Sequence, residues 1–108
     1  METAIVTPQT QAFRELLSAK KPQLDALLEK YGATNPMLFG SVARGDATKA
    51  SDIDILVQMD SSCGNVLLRA SGLLEEAREL FGVPVDIFPI QLLKRPISAN
   101  ALAEMVAL

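Results

Sequence analysis

The chain has 108 residues, with 13 acidic against 10 basic side chains for a net charge of −3, and 49% of it is apolar. That length supports one domain, residues 1–108, with a modest core and little left for a second lobe. The apolar share excludes a disordered chain, and the acidic balance argues against a protein built to sit on duplex nucleic acid, which needs a basic surface. There is no histidine, which removes Ser-His-Asp and Cys-His catalysis, zinc deaminase chemistry and most zinc sites. Acid–base work therefore falls to carboxylates, lysine, tyrosine or metal-bound water. The single cysteine, Cys63, forms no intrachain disulfide and fits a reducing compartment. No basic stretch followed by an apolar core opens the chain, and no apolar run nears the roughly 18 residues that cross a bilayer. The expected location is the cytoplasm.

In chain order, residues 1–8 are expected to fray. Phe13, Leu16 and Leu17 form a short helical stripe, which Pro22 either breaks or restarts from the first position of a new helix. Leu24, Leu27, Leu28 and Tyr31 continue at helical spacing to a stop at Gly32. Met37-Leu38-Phe39, after a proline, reads as a short strand, and the small polar residues from Gly40 to Ser51 as a loop with room for one helical turn. Asp52 to Gln58 alternates and is β-branched, the pattern of a strand. After a turn from Asp60 to Asn65, Leu67, Ala70, Leu73, Leu74, Ala77, Leu80 and Phe81 predict an amphipathic helix closed by Gly82. Glu75, Glu76, Arg78 and Glu79 form its wet side. Val83 to Phe88 predicts a further strand, and Ser98 to Leu108 a final helix with Leu102, Met105 and Val106 on one face, within a helical C-terminal segment 91–108. The order predicts an α/β (α+β) domain with a small mixed sheet flanked by helices.

The chemistry lies in residues 39–57. Side chains alternate along a strand, so Asp52 and Asp54 share one face while Ile53, Ile55 and Val57 take the other. Two carboxylates spaced in this way lean onto one cation, and hard oxygen donors suit Mg²⁺ or Mn²⁺. Asp86 is a third candidate, a lone charge between Val85 and Ile87 whose placement is costly without compensation. If its strand lies beside that of Asp54, three like charges converge, and either a proton or a cation must relieve them. Gly40-Ser41 directly follows a strand; the glycine permits close backbone approach, and the amides after it with the Ser41 hydroxyl suit phosphate oxygens. Arg44 reads as a further phosphate contact or, equally, as an ion pair that shapes the loop. Rossmann and P-loop readings fail on glycine spacing.

Taken together, Gly40-Ser41-x-x-Arg44-Gly45, five residues, then Ser51-Asp52-x-Asp54 resembles the signature of the DNA polymerase β-like nucleotidyltransferase superfamily. A chance match at seven fixed positions is on the order of 10⁻⁷–10⁻⁶ per chain of this length at average residue usage. The shortness and the run Phe39-Gly40-Ser41-Val42-Ala43-Arg44-Gly45 are most similar to the minimal nucleotidyltransferase proteins. Many of these are antitoxins paired with HEPN-domain toxins, and members can adenylylate a toxin tyrosine. The resemblance covers residues 24–90. It implies that Gly40 and Ser41 bind a nucleoside triphosphate, ATP by family likeness; Arg44 and Ser51 are nucleotide-binding candidates beside them. It implies too that Asp52, Asp54 and Asp86 are catalytic and hold Mg²⁺, two ions in such sites, with Asp86 assisting deprotonation of an acceptor hydroxyl. With no acceptor lobe in the chain, the acceptor is expected on a partner protein of the HEPN type. Membrane and nucleic-acid partners are not expected.

Plainer readings stand beside these. Asp-x-Asp alone is more often a pair of solvated strand-edge charges, and Asp86 beside Pro84 also fits an exposed turn. Cys63 reads as inert, and Lys94 with Arg95 as a solvated turn. Two rival functions remain: a module that neutralises its partner by covering it without catalysis, and transfer of the nucleotide to a small molecule or a nucleic-acid end.

Overall fold

The computed structural model describes residues 6–93 and 98–108. Helix α1 spans Pro8–Lys30, strand β1 Ala33–Phe39, helix α2 Gly40–Arg44, strand β2 Ile53–Met59, helix α3 Val66–Phe81 and strand β3 Val85–Pro89. A short helix α4, Ala99–Glu104, and a two-residue strand β4, Val106–Ala107, follow. The strands form one sheet in the order β3-β2-β1-β4. Strands β1 and β2 run antiparallel, β2 and β3 parallel, and β4 antiparallel to β1. This is the mixed sheet with flanking helices that the element order predicts.

The core follows from alternation. Ile53, Ile55, Val57 and Met59 of β2 are buried with Val85 and Ile87 of β3 and Leu38 of β1. Onto them pack Phe13, Leu17, Leu24 and Leu28 of α1 and Ala70, Leu73, Ala77 and Phe81 of α3. The intervening positions of β2 carry Asp54, Leu56 and Gln58, and Asp86 lies on β3 in register with Asp54.

Several local expectations are corrected. Residues 6–8 do not fray: the Thr7 amide donates to the Gly45 carbonyl at 2.9 Å, and the Thr7 hydroxyl caps the helix by accepting from the Thr10 amide. Pro8 takes the first helical turn, where its missing N–H costs nothing. Pro22 neither breaks nor restarts the helix; α1 runs through it. An interior proline costs about 3 kcal/mol, and the burial of Phe13 and Leu17 before it and Leu24 and Leu28 after it outweighs that cost. Strand β1 begins four residues earlier than Met37 because the proline is absorbed in an irregularity: the register with β2 shifts between Thr34 and Met37, and Asn35 has φ +50°. A bulge is where a strand tolerates proline.

The tail is the largest departure. In place of one helix to Leu108, α4 stops at Glu104 and Val106–Ala107 pairs with Leu38 and Met37. The open edge of β1 offers backbone hydrogen bonds that one more helical turn cannot match, and valine suits a strand. Ile90–Leu92 is a short 3-10 turn rather than the start of a helical segment. Lys94, Arg95 and the Cys63 side chain lie outside the described residues. No helix among those described is long and apolar enough to cross a membrane.

Candidate active site

Three chain segments meet at one end of the sheet. Strand β1 ends at Phe39, opposite Asp54 on β2, and Asp54 is opposite Asp86 on β3. Asp52 sits just ahead of β2. One carboxylate oxygen from each of Asp52, Asp54 and Asp86 falls within 4.8 Å of the others, and all three side chains are partly buried. The parallel pairing of β2 and β3 thus brings together the three acids that the sequence suggested separately.

The crowding has an electrostatic cost. Burial, reinforced by the charges of Asp86 and Asp52, pushes the Asp54 carboxyl up to about 6, against a smaller opposing pull from Arg44. Asp52 is raised as well, chiefly by a hydrogen bond shared with Asp86, then by burial and the Asp86 charge; Arg78 pulls it down. A cluster that holds a proton this firmly is a cluster short of positive charge. A divalent cation would supply it, and three carboxylate oxygens at this separation are a hard donor set of the kind that suits Mg²⁺ or Mn²⁺.

Gly40 closes the other side. Its φ is +75°, and a Cβ placed on it would lie 2.5 Å from Asp54 Oδ2. Only glycine permits both that conformation and that approach. Helix α2 starts at this residue, so its first amides have no partner within the helix. Ser41 is in the first turn of α2, its carbonyl accepting from the Gly45 and Asp46 amides at 2.9 and 3.1 Å. The Ser51 hydroxyl accepts from the Thr48 amide at 2.9 Å, which folds the loop leading into Asp52. Arg44 pairs with Asp46 at 3.2 Å and with Glu104 of α4 at 3.6 Å. In this structure it therefore takes the ion-pair role that the sequence left open.

Two arginines in the site's framework are invisible to sequence patterning. Arg14 of α1 donates to the carbonyls of Val42 (3.0 and 3.2 Å) and Ala43 (3.1 Å), holding the far end of α2. Arg78, read as part of the wet face of α3, instead donates from Nη2 to Asp86 Oδ1 and from Nε to the Val85 carbonyl, both at 2.9 Å. Its signal is weak: an arginine on a polar helix face, eight residues before the third aspartate.

The acidic triad and the glycine turn thus lie together at one end of the mixed sheet, an arrangement that could hold a cation. The family model for the nucleotidyltransferase domain matches residues 20–108. A protein of Thermococcus cleftensis named protein adenylyltransferase MntA is 33% identical over 96 residues, covering 89% of this chain and 92% of that protein. A Methanocaldococcus jannaschii protein named as a candidate protein adenylyltransferase is 32% identical over 78 residues, 72% of this chain and 78% of its own length. The solved structure of a candidate minimal nucleotidyltransferase superposes with a TM-score of 0.73 at 35% identity, covering 87% of this chain and 94% of that one. The chain belongs to the nucleotidyltransferase domain family, as a minimal member of it, and is a nucleotidyltransferase.

Proposed function

We propose that this chain transfers AMP from ATP to a hydroxyl of a partner protein, a tyrosine of a HEPN-type toxin, and so acts as its antitoxin in the cytoplasm. The convergence of Asp52, Asp54 and Asp86 on one point beside Gly40 carries the reading. Its relatives' names supply the protein acceptor. The acceptor then arrives on a second protein.

In this reading Asp52, Asp54 and Asp86 would hold Mg²⁺, which would supply positive charge to the triphosphate and to the acceptor oxygen. The amides at the start of α2, with the Ser41 hydroxyl, receive the triphosphate tail. The acceptor oxygen forms a bond to the α-phosphorus, the bond to the pyrophosphate oxygen breaks, and the hydroxyl proton passes to Asp86. Positioning and fixed charge supply most of the acceleration, as in other phosphoryl transfers. Arg44 contributes a phosphate contact if it leaves Asp46 and Glu104; otherwise, with Ser51, it keeps the loop in shape.

The test is label transfer. The chain is incubated with ATP labelled at the α-phosphate, Mg²⁺ and the protein encoded next to it. Label on the partner's tyrosine with wild type, and none with Asp54→Asn, is the expected result. Transfer by both proteins alike, or by neither, refutes the reading. If Asp52→Asn/Asp54→Asn still protects cells from the partner as well as wild type, occlusion replaces catalysis as the mode of neutralisation.

A further inference from the structure

We propose that Arg78 is a positioning residue for the triad, resting on the assignment of Asp86 to the transfer site. Its guanidinium makes two hydrogen bonds to adjacent residues of β3: Nε to the Val85 carbonyl and Nη2 to Asp86 Oδ1, each 2.9 Å. The first fixes the guanidinium to the backbone of the strand. The second then fixes the carboxylate to the guanidinium. A carboxylate offers about four lone-pair positions and otherwise rotates about its last bond. With Oδ1 held, Asp86 presents a fixed set of remaining lone pairs to the point it shares with Asp52 and Asp54, where one oxygen of each lies within 4.8 Å.

The fixed planar geometry of arginine suits this bracing role. Arg78 is reached from outside, its side chain 53% exposed against 34% for Asp86. A surface ion pair of that exposure contributes little to stability. Its position on the triad, rather than its strength, is what gives it a function. The α3 helix that carries it is held to the sheet by buried Leu73, Ala77 and Phe81, so the arginine projects from a rigid base.

The experiment compares Arg78→Met and Arg78→Lys with wild type. It reads melting temperature, the Mn²⁺ dissociation constant of the free protein by titration, and kcat against KM for ATP in label transfer. Two mechanisms predict opposite signs. If Arg78 acted only as a nearby positive charge, its removal would relieve repulsion and tighten Mn²⁺. Positioning predicts that Arg78→Met binds Mn²⁺ about 10-fold more weakly and lowers kcat by about 10–100-fold, the range typical of groups that orient a metal's ligands, with KM for ATP little changed. Arg78→Lys, which keeps one donor, recovers part of both. The proposal is overturned if Arg78→Met binds Mn²⁺ as tightly as wild type or more so, whatever its melting temperature. It is overturned equally if wild type shows no Mn²⁺ binding that Asp54→Asn removes. Failure of the transfer reading is separate: wild type would then label no partner, while Mn²⁺ affinity still ranked wild type, Lys and Met in that order.

Discussion

Replacing Asp54 with asparagine is expected to stabilise the metal-free protein at alkaline pH while abolishing transfer. Asp54 is partly buried, and its carboxyl sits at about 6 instead of 3.8, first because of burial and then because of Asp86 and Asp52. A raised carboxyl binds its proton more tightly in the folded chain than in the unfolded one. Its contribution is therefore fully present below the unfolded value near 4, drains away as pH rises from about 4 to 6, and is gone above that. At ~1.36 kcal/mol per pH unit the gap sets a ceiling near 3 kcal/mol. Solvent reaching a partly exposed group reduces this to about 1–2 kcal/mol. Asparagine keeps the shape and removes the charge. In EDTA at pH 8 its melting temperature should exceed that of wild type by about 4–10 °C, given the entropy of unfolding of a domain this small. At pH 4 the two curves should meet. Added Mg²⁺ should raise wild type alone and close the gap at pH 8, because a ligand of the native state stabilises only the protein that binds it. An asparagine variant no more stable than wild type at pH 8 would mean that burial and the neighbouring carboxylates do not burden the Asp54 charge, and no cation would be needed to relieve it.

Three further outcomes follow from the geometry. Gly40→Ala forces a Cβ to within 2.5 Å of Asp54 Oδ2 at φ +75°; label transfer should fall about 10²-fold from misplacement of the triad, with a stability loss of about 1–3 kcal/mol measured by urea melts. Mg²⁺ binding should weaken steeply as pH falls below about 6, where Asp54 takes up its proton; titration calorimetry at pH 5 and 8 checks this, and equal affinities would contradict it. Arg69 donates to the carbonyls of Tyr31, Gly32, Asp60 and Gly64 at the end of the sheet away from the acids. Arg69→Ala should cost roughly 2 kcal/mol yet leave transfer per folded molecule at the wild-type rate.

The site was more legible than the frame around it, for a physical reason. Asp52, Asp54, Gly40 and Ser41 lie within one short stretch, where strand alternation and a glycine turn say which way groups point. Asp86 required the pairing of β2 with β3, and its charge in an apolar run was the clue. What stayed hidden depended on distant partners. Nothing local to Pro22 says that burial on both sides carries the helix through it, or that β1 absorbs Pro36 in a bulge. Val106 has helical spacing from Leu102 and becomes a strand only because β1 leaves an edge free. Arg14 and Arg78 look like solvated helix charges until the fold places a carbonyl and a carboxylate against them.

The most direct measurement is a crystal of the chain grown with Mn²⁺ and a non-hydrolysable ATP analogue, with an anomalous difference map at the manganese edge. Anomalous density bounded by Asp52, Asp54 and Asp86 is expected, with phosphate oxygens against the Gly40–Ser41 amides. A nucleotide bound elsewhere, or no manganese among those three carboxylates, would contradict it.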